Sequence, residues 1–247
     1  MSTSIRPALL LALLMTGLAG AAPAAPKGFI TGTVLNAAGQ PMPGVEVIAD
    51  NTLAFESNLI VYTDTKGHYL IDVSLLPTTW NVTARTKLRY QGFEVSVPLV
   101  AHNPEIVAGR VGGVRDFVFR PKAVTEADPY GNLGLVLVEP AIGEYSLDVS
   151  KVTLRLTPKG KLADGSAGGA RTVKLLRSGS GWVVPNVMWG TYTVTASLNG
   201  TPLELRLRAS GLNDFAWTTS DTGGFYQDFS STQPNMFLEV RTPGGGQ

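Results

Sequence analysis

After Pro26 the chain alternates apolar and polar residues with a period of two, and this pattern leaves little room for a helical fold. Phe93, Val95, Val97 and Leu99 fall on one face of a run. Val152, Leu154 and Leu156 alternate with Thr153, Arg155 and Thr157, and Leu203, Leu205 and Leu207 alternate with Glu204, Arg206 and Arg208. Met236, Leu238 and Val240 repeat the pattern near the end. Successive side chains of a strand point to opposite faces, so these runs predict half-buried antiparallel strands. Turn clusters punctuate them at residues 38–41, 64–67, 165–169, 178–181 and at Asn199-Gly200. Asn-Gly marks a type I′ hairpin, whose two central residues both need positive φ. The 28 glycines suit a turn-rich β protein, and 44% hydrophobic against 16% charged residues excludes charge-driven disorder. The chain reads as all-β.

A faint internal repeat sets the domain count. Thr79-Trp80-Asn81-Val82-Thr83-Ala84 matches Thr191-Tyr192-Thr193-Val194-Thr195-Ala196 at an offset of 112 residues. Each copy follows a glycine turn and an aromatic residue, Gly67-His68-Tyr69 first and Gly181-Trp182 second. About 100 residues is the size of one sandwich of seven or so strands. The expected organisation is two tandem immunoglobulin/transthyretin-like antiparallel β-sandwiches, at residues 27–122 and 133–243. Residues 123–132, with Pro129, Gly131 and several charges, form the linker between them. The apolar run 133–138 opens the second sandwich as a buried strand.

Residues 1–21 read as a signal peptide. Arg6 supplies the positive start, and residues 8–22 form an apolar stretch shorter than the ~20 residues a membrane-spanning helix needs. Ala19-Gly20-Ala21 gives the small-residue cleavage pattern. Cleavage leaves a mature protein with no membrane span, placed outside the cytoplasm as a secreted, periplasmic or cell-envelope protein.

Composition excludes several chemistries. With no cysteine there is no disulfide, thiolate metal site or cysteine nucleophile. The only histidines are His68 and His102, too few to complete a metal shell. A net charge of +1 without a basic block excludes a phosphate-tracking nucleic-acid surface. The carboxylates fall in turns, as at Asp64, Asp164 and Asp221, or on polar strand faces, as at Glu46, Asp72, Glu94 and Glu204. That placement suits turn formation and solvation rather than paired acid–base work.

Three pieces carry a family likeness. Gly32-Thr33-Val34 leads to Gly39-Gln40-Pro41-Met42-Pro43-Gly44-Val45-Glu46-Val47; Thr63-Asp64-Thr65-Lys66-Gly67-His68-Tyr69 follows; Leu76-Pro77-Thr78-Thr79-Trp80-Asn81-Val82 closes the set. Residues 29–100 with these motifs resemble the carboxypeptidase regulatory-like domain, a transthyretin-type β-sandwich module of secreted bacterial proteins. Thr78 departs from the family, which has glycine there. Pro41 and Pro43 stiffen the crossing between strands, Asp64 can accept from amides just ahead of it, and Gly67 can close the turn with positive φ. The resemblance implies no peptidase activity, because a carboxypeptidase's zinc belongs to its peptidase domain. Related catalytic folds lack their signatures too: the chain ends Pro243-Gly244-Gly245-Gly246-Gln247 rather than in a Tyr-Arg-Gly-Ser tail, and no tyrosine–histidine pairing supports iron.

What remains is aromatic. Tyr69, Trp80, Trp182 and Tyr192 are expected in the cores. Trp189 precedes its strand in the turn, while Trp217, Phe225 and Tyr226 flank the loop Thr222-Gly223-Gly224. Loop aromatics stack on sugar rings or anchor partners, so Trp189, Trp217, Phe225 and Tyr226 are the candidate ligand-binding residues. The expected function is a secreted, non-catalytic binding module without cofactor or metal, with a polysaccharide as ligand. The alternative is a protein-interaction or structural component of the cell envelope, with an envelope protein as partner.

Overall fold

In the computed structural model, residues 24–208, 216–227 and 233–245 are described. The expected signal peptide, residues 1–21, lies outside them. The described chain is strand and turn throughout, apart from one 3-10 turn at Val149–Lys151.

Among the described residues the strands form four sheets. Sheet I orders His68–Asp72, Phe29–Asn36, Phe117–Phe119 and Val100–Ala101, with Gly113–Val114 also on Phe29–Asn36. Sheet II orders Leu59–Tyr62, Glu46–Asn51, Thr79–Tyr90 and Phe93–Pro98, with Val107–Ala108 on Thr79–Tyr90. Sheet III orders Leu176–Ser178, Gly181–Val187, Gly134–Pro140, Asn235–Arg241 and Glu204–Arg208. Sheet IV orders Arg171–Lys174, Val152–Lys159, Thr191–Leu198 and Thr201–Pro202, with Asp221–Gly223 on Thr191–Leu198. Sheets I and II use strands from residues 29–119 and sheets III and IV from residues 134–241; among the described residues no ladder joins the two sets.

The two sets share the order of their central strands and differ at Gly113–Val114 of the first and Leu176–Ser178 of the second. In each, the central long strand of one sheet holds the repeated hexapeptide. Trp80, Val82 and Ala84 are buried in one copy and Tyr192, Val194 and Ala196 in the other. Ala84 stands opposite Val47 and Val82 opposite Ala49; Ala196 stands opposite Leu154 and Val194 opposite Leu156. The alanine of the hexapeptide strand stays in place in both copies, while Ala49 of the first is replaced by Leu156 in the second, and the inward register is the same. A one-residue slip would turn every apolar side chain to solvent, so burial holds that register.

Not every pair is antiparallel as expected. The first strand of each set runs parallel to the last: Val34 pairs with Phe117, and Leu135 through Pro140 pair with Asn235 through Val240. A tight hairpin forces antiparallel pairing, whereas these strands are joined through the other strands of their set.

The family-like turns adopt the expected geometry. Asp64 Oδ1 accepts from the N–H groups of Lys66 and His68, both at 2.8 Å. Gly67 has φ +74°, and a side chain there would run into the carbonyl of Val34. Asn199 and Gly200 both have positive φ, as a type I′ turn requires. Thr78 needs no glycine: its φ is not positive, and its Oγ1 donates to Asn51 Oδ1 at 3.0 Å.

Candidate functional site

The residues between the two sets of strands are held far more firmly than a flexible linker. Asn132 is buried, and its Nδ2 donates to the carbonyls of Pro98 and Arg120 at 2.9 and 3.1 Å. Its Oδ1 accepts from Lys122 N–H at 2.8 Å, and its own N–H donates to Asn186 Oδ1 at 3.1 Å. Asn186, at φ +57°, donates in turn to the Lys122 carbonyl at 2.8 Å. One buried amide thus ties both sets of strands to the segment between them. Lys122 and Asp128 close that segment on itself with an ion pair of 2.6 Å.

A second tie comes from Tyr90, at the end of Thr79–Tyr90. Its hydroxyl accepts from Phe225 N–H at 3.0 Å and donates to the Gly190 carbonyl at 3.2 Å. Gly224 lets it in, since a side chain there would occupy the hydroxyl's place. The Tyr90 and Phe225 rings meet edge to face, 6.2 Å apart, and Tyr192 meets Phe225 likewise at 6.3 Å. Burial pushes the Tyr90 and Tyr192 phenols up, Tyr192 to about 12. The corresponding positions of the first set are found from the register, Trp80 with Val107 against Tyr192 with Gly223. There Gly109 N–H bonds directly to the Thr78 carbonyl at 2.8 Å. In the second set the Tyr90 hydroxyl stands between the equivalent groups.

Beside these ties lies a cleft of about 750 Å³. Met42, Leu88 and Phe119 from one set face Leu162, Met188 and Tyr192 from the other. Arg120, Asp164 and Arg171 bring charge to it, and Arg171 Nη2 donates to the Asn186 carbonyl at 3.1 Å. A mostly apolar cleft with a few polar groups suits binding.

The four candidate aromatics do not form one surface. Trp189 is 0% exposed and Phe225 1%, so neither presents a ring to a ligand. Trp189 sits before its strand as expected, but the chain folds over it: Nε1 donates to the Pro234 carbonyl at 2.9 Å, and its own carbonyl accepts from Ala163 N–H at 2.8 Å. Phe225 packs under Tyr90 and Tyr192 instead of flanking an open loop. Trp217 is half-buried and lies on the arginines Arg206 and Arg241, whose guanidinium carbons are 4.5 and 4.4 Å from its ring centre. Those arginines also pair with Glu239 and Glu204. Tyr226 is half-buried, with its ring 5.1 Å from that of Phe237. Trp182, expected in the core, is only partly buried and lies under Arg177.

His68 and His102 are both exposed, and among the described residues no group of three or more His, Cys, Asp or Glu is placed to hold a metal ion. Among them, too, no helix is long and apolar enough to cross a membrane.

No protein-family model matches the chain, and no curated protein is similar enough to count as a relative. Among solved structures it is similar to the Bacillus anthracis TIE protein, at 12% identity and a TM-score of 0.33, over 87% of this chain and 34% of that one. It is similar to the pilus backbone RrgB of Streptococcus pneumoniae at 11% identity and a TM-score of 0.24, over 79% and 56% of the two chains. A C-terminal fragment of the pilus adhesin SpaC from Lactobacillus rhamnosus GG gives 11% and 0.24, over 85% and 95%. The chain therefore spans about a third of the TIE protein and little more than half of RrgB. At TM-scores this low the likeness carries no argument about activity, ligand or assembly; what the chain is, on its own strands and sheets, is an all-β protein.

Proposed function

We propose that the chain is a non-catalytic protein of two tandem β-sandwich modules that acts outside the cytoplasm as a structural or protein-interaction component of the cell envelope. The modules are residues 27–122 and 133–243, joined by 123–132, with residues 1–21 removed on export. The joint carries this reading. Asn132 and Tyr90 spend six hydrogen bonds on holding the modules in one relative orientation. A fixed orientation serves a load-bearing or docking element, and the cleft beside the joint has walls from both modules. The turn geometry at Asp64 and Gly67 supports the carboxypeptidase regulatory-like reading of the first module.

A second reading, carbohydrate binding, is favoured by Trp217, a half-buried ring resting on two arginines. One experiment separates them. The chain from Ala22 onward is mixed with envelope from its source organism, before and after protease or glycosidase treatment. Retention that survives glycan digestion and disappears with surface protein is the expected result. Retention lost on glycan digestion, and lost in Trp217→Ala, overturns the proposal in favour of the second reading.

A further inference from the structure

Among the described residues, four sheets with two ends each give eight outer strands, and seven of them carry a device against further pairing. Glu204–Arg208, Arg171–Lys174, Leu176–Ser178, His68–Asp72 and Phe93–Pro98 each hold a charged side chain, Thr201–Pro202 holds a proline, and Val100–Ala101 is two residues long. Charge, proline and shortness are the usual ways in which an edge is kept from adding strands. The eighth, Leu59–Tyr62, has neither charge nor proline, and three of its four residues are β-branched or aromatic. Its backbone is open on the outer side. Thr63 N–H bonds the Val45 carbonyl and Gly44 N–H that of Thr63, so Leu59 and Val61, in step with Thr63, turn their amides toward Glu46–Asn51. Ile60 and Tyr62 turn theirs away, and no group among the described residues pairs with them. Their side chains stand on the outer face, 52% and 64% exposed.

We propose that two copies of the chain pair through Leu59–Tyr62, antiparallel and about a two-fold axis at Val61, so that sheet II of one continues into sheet II of the other. The strand fits itself. In this register Ile60 exchanges both of its outward backbone bonds with Tyr62 of the second copy, and Tyr62 does so with Ile60 of that copy. A β-branched side chain then lies beside an aromatic one twice over, a pairing that stabilises neighbouring strands. No like charges meet. Asp64 falls opposite Asn58 of the second copy, and Glu46, beside Tyr62, is already paired with Arg85. A slip by two residues would set Tyr62 against Asn58, or Ile60 against Asp64, and lose the apolar pairs. Any other outer strand of this chain would bring a charge or a proline to the ladder, or offer only two residues. The two-fold pair covers both unprotected edges at once and leaves none to propagate.

Sedimentation velocity of the chain from Ala22 onward, which holds every described residue, is the first test. The sedimentation coefficient is expected to rise with protein concentration, as a monomer–dimer equilibrium requires. The double variant Ile60→Lys with Tyr62→Lys faces lysines across the axis and is expected to lower the association constant by about tenfold or more. Its thermal midpoint stays near that of the parent because both side chains are exposed, and Tyr145→Lys, exposed elsewhere, leaves association unchanged. The chain has no cysteine, so introduced disulfides report the register. Under oxidation, a mixture of Ile60→Cys and Tyr62→Cys chains is expected to cross-link faster than either chain with itself. A chain that stays monomeric, association indifferent to the lysines, or equal cross-linking in all three samples overturns the proposal. If a monomeric chain loses its envelope retention in the double lysine variant, the edge belongs to a strand of another protein instead, and the proposed envelope role stands.

Discussion

The hydroxyl of Tyr90 accepts the backbone N–H of Phe225 at 3.0 Å, 135 residues further along the chain. It also donates to the Gly190 carbonyl, so a single oxygen replaces a direct backbone bond of the kind the first set of strands makes between Gly109 and Thr78. Removing it leaves a buried donor and acceptor unpaired. Tyr90→Phe, which keeps the ring, is expected to cost about 1–3 kcal/mol in urea unfolding. Tyr90→Ala loses the ring packing on Phe225 as well and is expected to cost about 3–5 kcal/mol, by analogy with other large aromatic truncations.

Asn132 gives a separate handle on the joint. Its replacement by Ala frees the carbonyls of Pro98 and Arg120 and the N–H of Lys122 together. Limited trypsin digestion is expected to cut after Lys122 several times faster in Asn132→Ala than in the parent, with sites inside the strands unaffected. Uniform acceleration at all sites would mean that the variant unfolds globally instead of loosening the joint.

Trp189 and Trp217 should part company. Trp189 is fully buried and hydrogen-bonded to Pro234, so Trp189→Ala is expected to lower stability by about 3–5 kcal/mol. Trp217→Ala loses two cation–π contacts from a half-buried ring and is expected to cost about 1–2 kcal/mol. Chemical denaturation of the two variants checks the difference.

The tyrosines set an alkaline limit. Burial raises the phenols of Tyr69, Tyr90 and Tyr192 above their ordinary value near 10. As the pH climbs past that value the unfolded chain gives up these protons and the folded chain keeps them, so the unfolded state gains. Stability contributed by the three phenols is therefore complete below about pH 10 and declines as the pH rises toward 12, the value Tyr192 reaches. Unfolding midpoints measured from pH 8 to 12 are expected to fall over that interval, and Tyr192→Phe is expected to flatten the fall.

The strands were legible because their burial is local: each alternating run states which face goes inward without reference to its partner. The repeat was legible for the same reason, since Trp80-Val82-Ala84 and Tyr192-Val194-Ala196 must each meet a facing strand. The joint was not. Tyr90 looks like any aromatic near a strand end, and its partners lie 100 and 135 residues away. Asn132 looks like a polar loop residue, and only the convergence of Pro98, Arg120 and Lys122 makes it a buried hub. Trp189 was misplaced because a tryptophan before a strand says nothing about the remote carbonyl of Pro234 that closes over it. A glycine beside it was the available sign: a side chain at Gly190 would meet that of Leu162, so the turn is packed.

The parallel pairing of first and last strands has a mechanical meaning. When the two ends of the chain are pulled apart, Val34 to Asn36 are drawn one way along Phe117 to Phe119, and Leu135 to Pro140 one way along Asn235 to Val240. The load runs along the ladders, so their hydrogen bonds share it and must yield together, whereas a hairpin pulled from its open end peels one rung at a time. Each set of strands is thereby clamped at its own first and last strands, and the second, with the longer parallel ladder, is expected to hold tension after the first has given way.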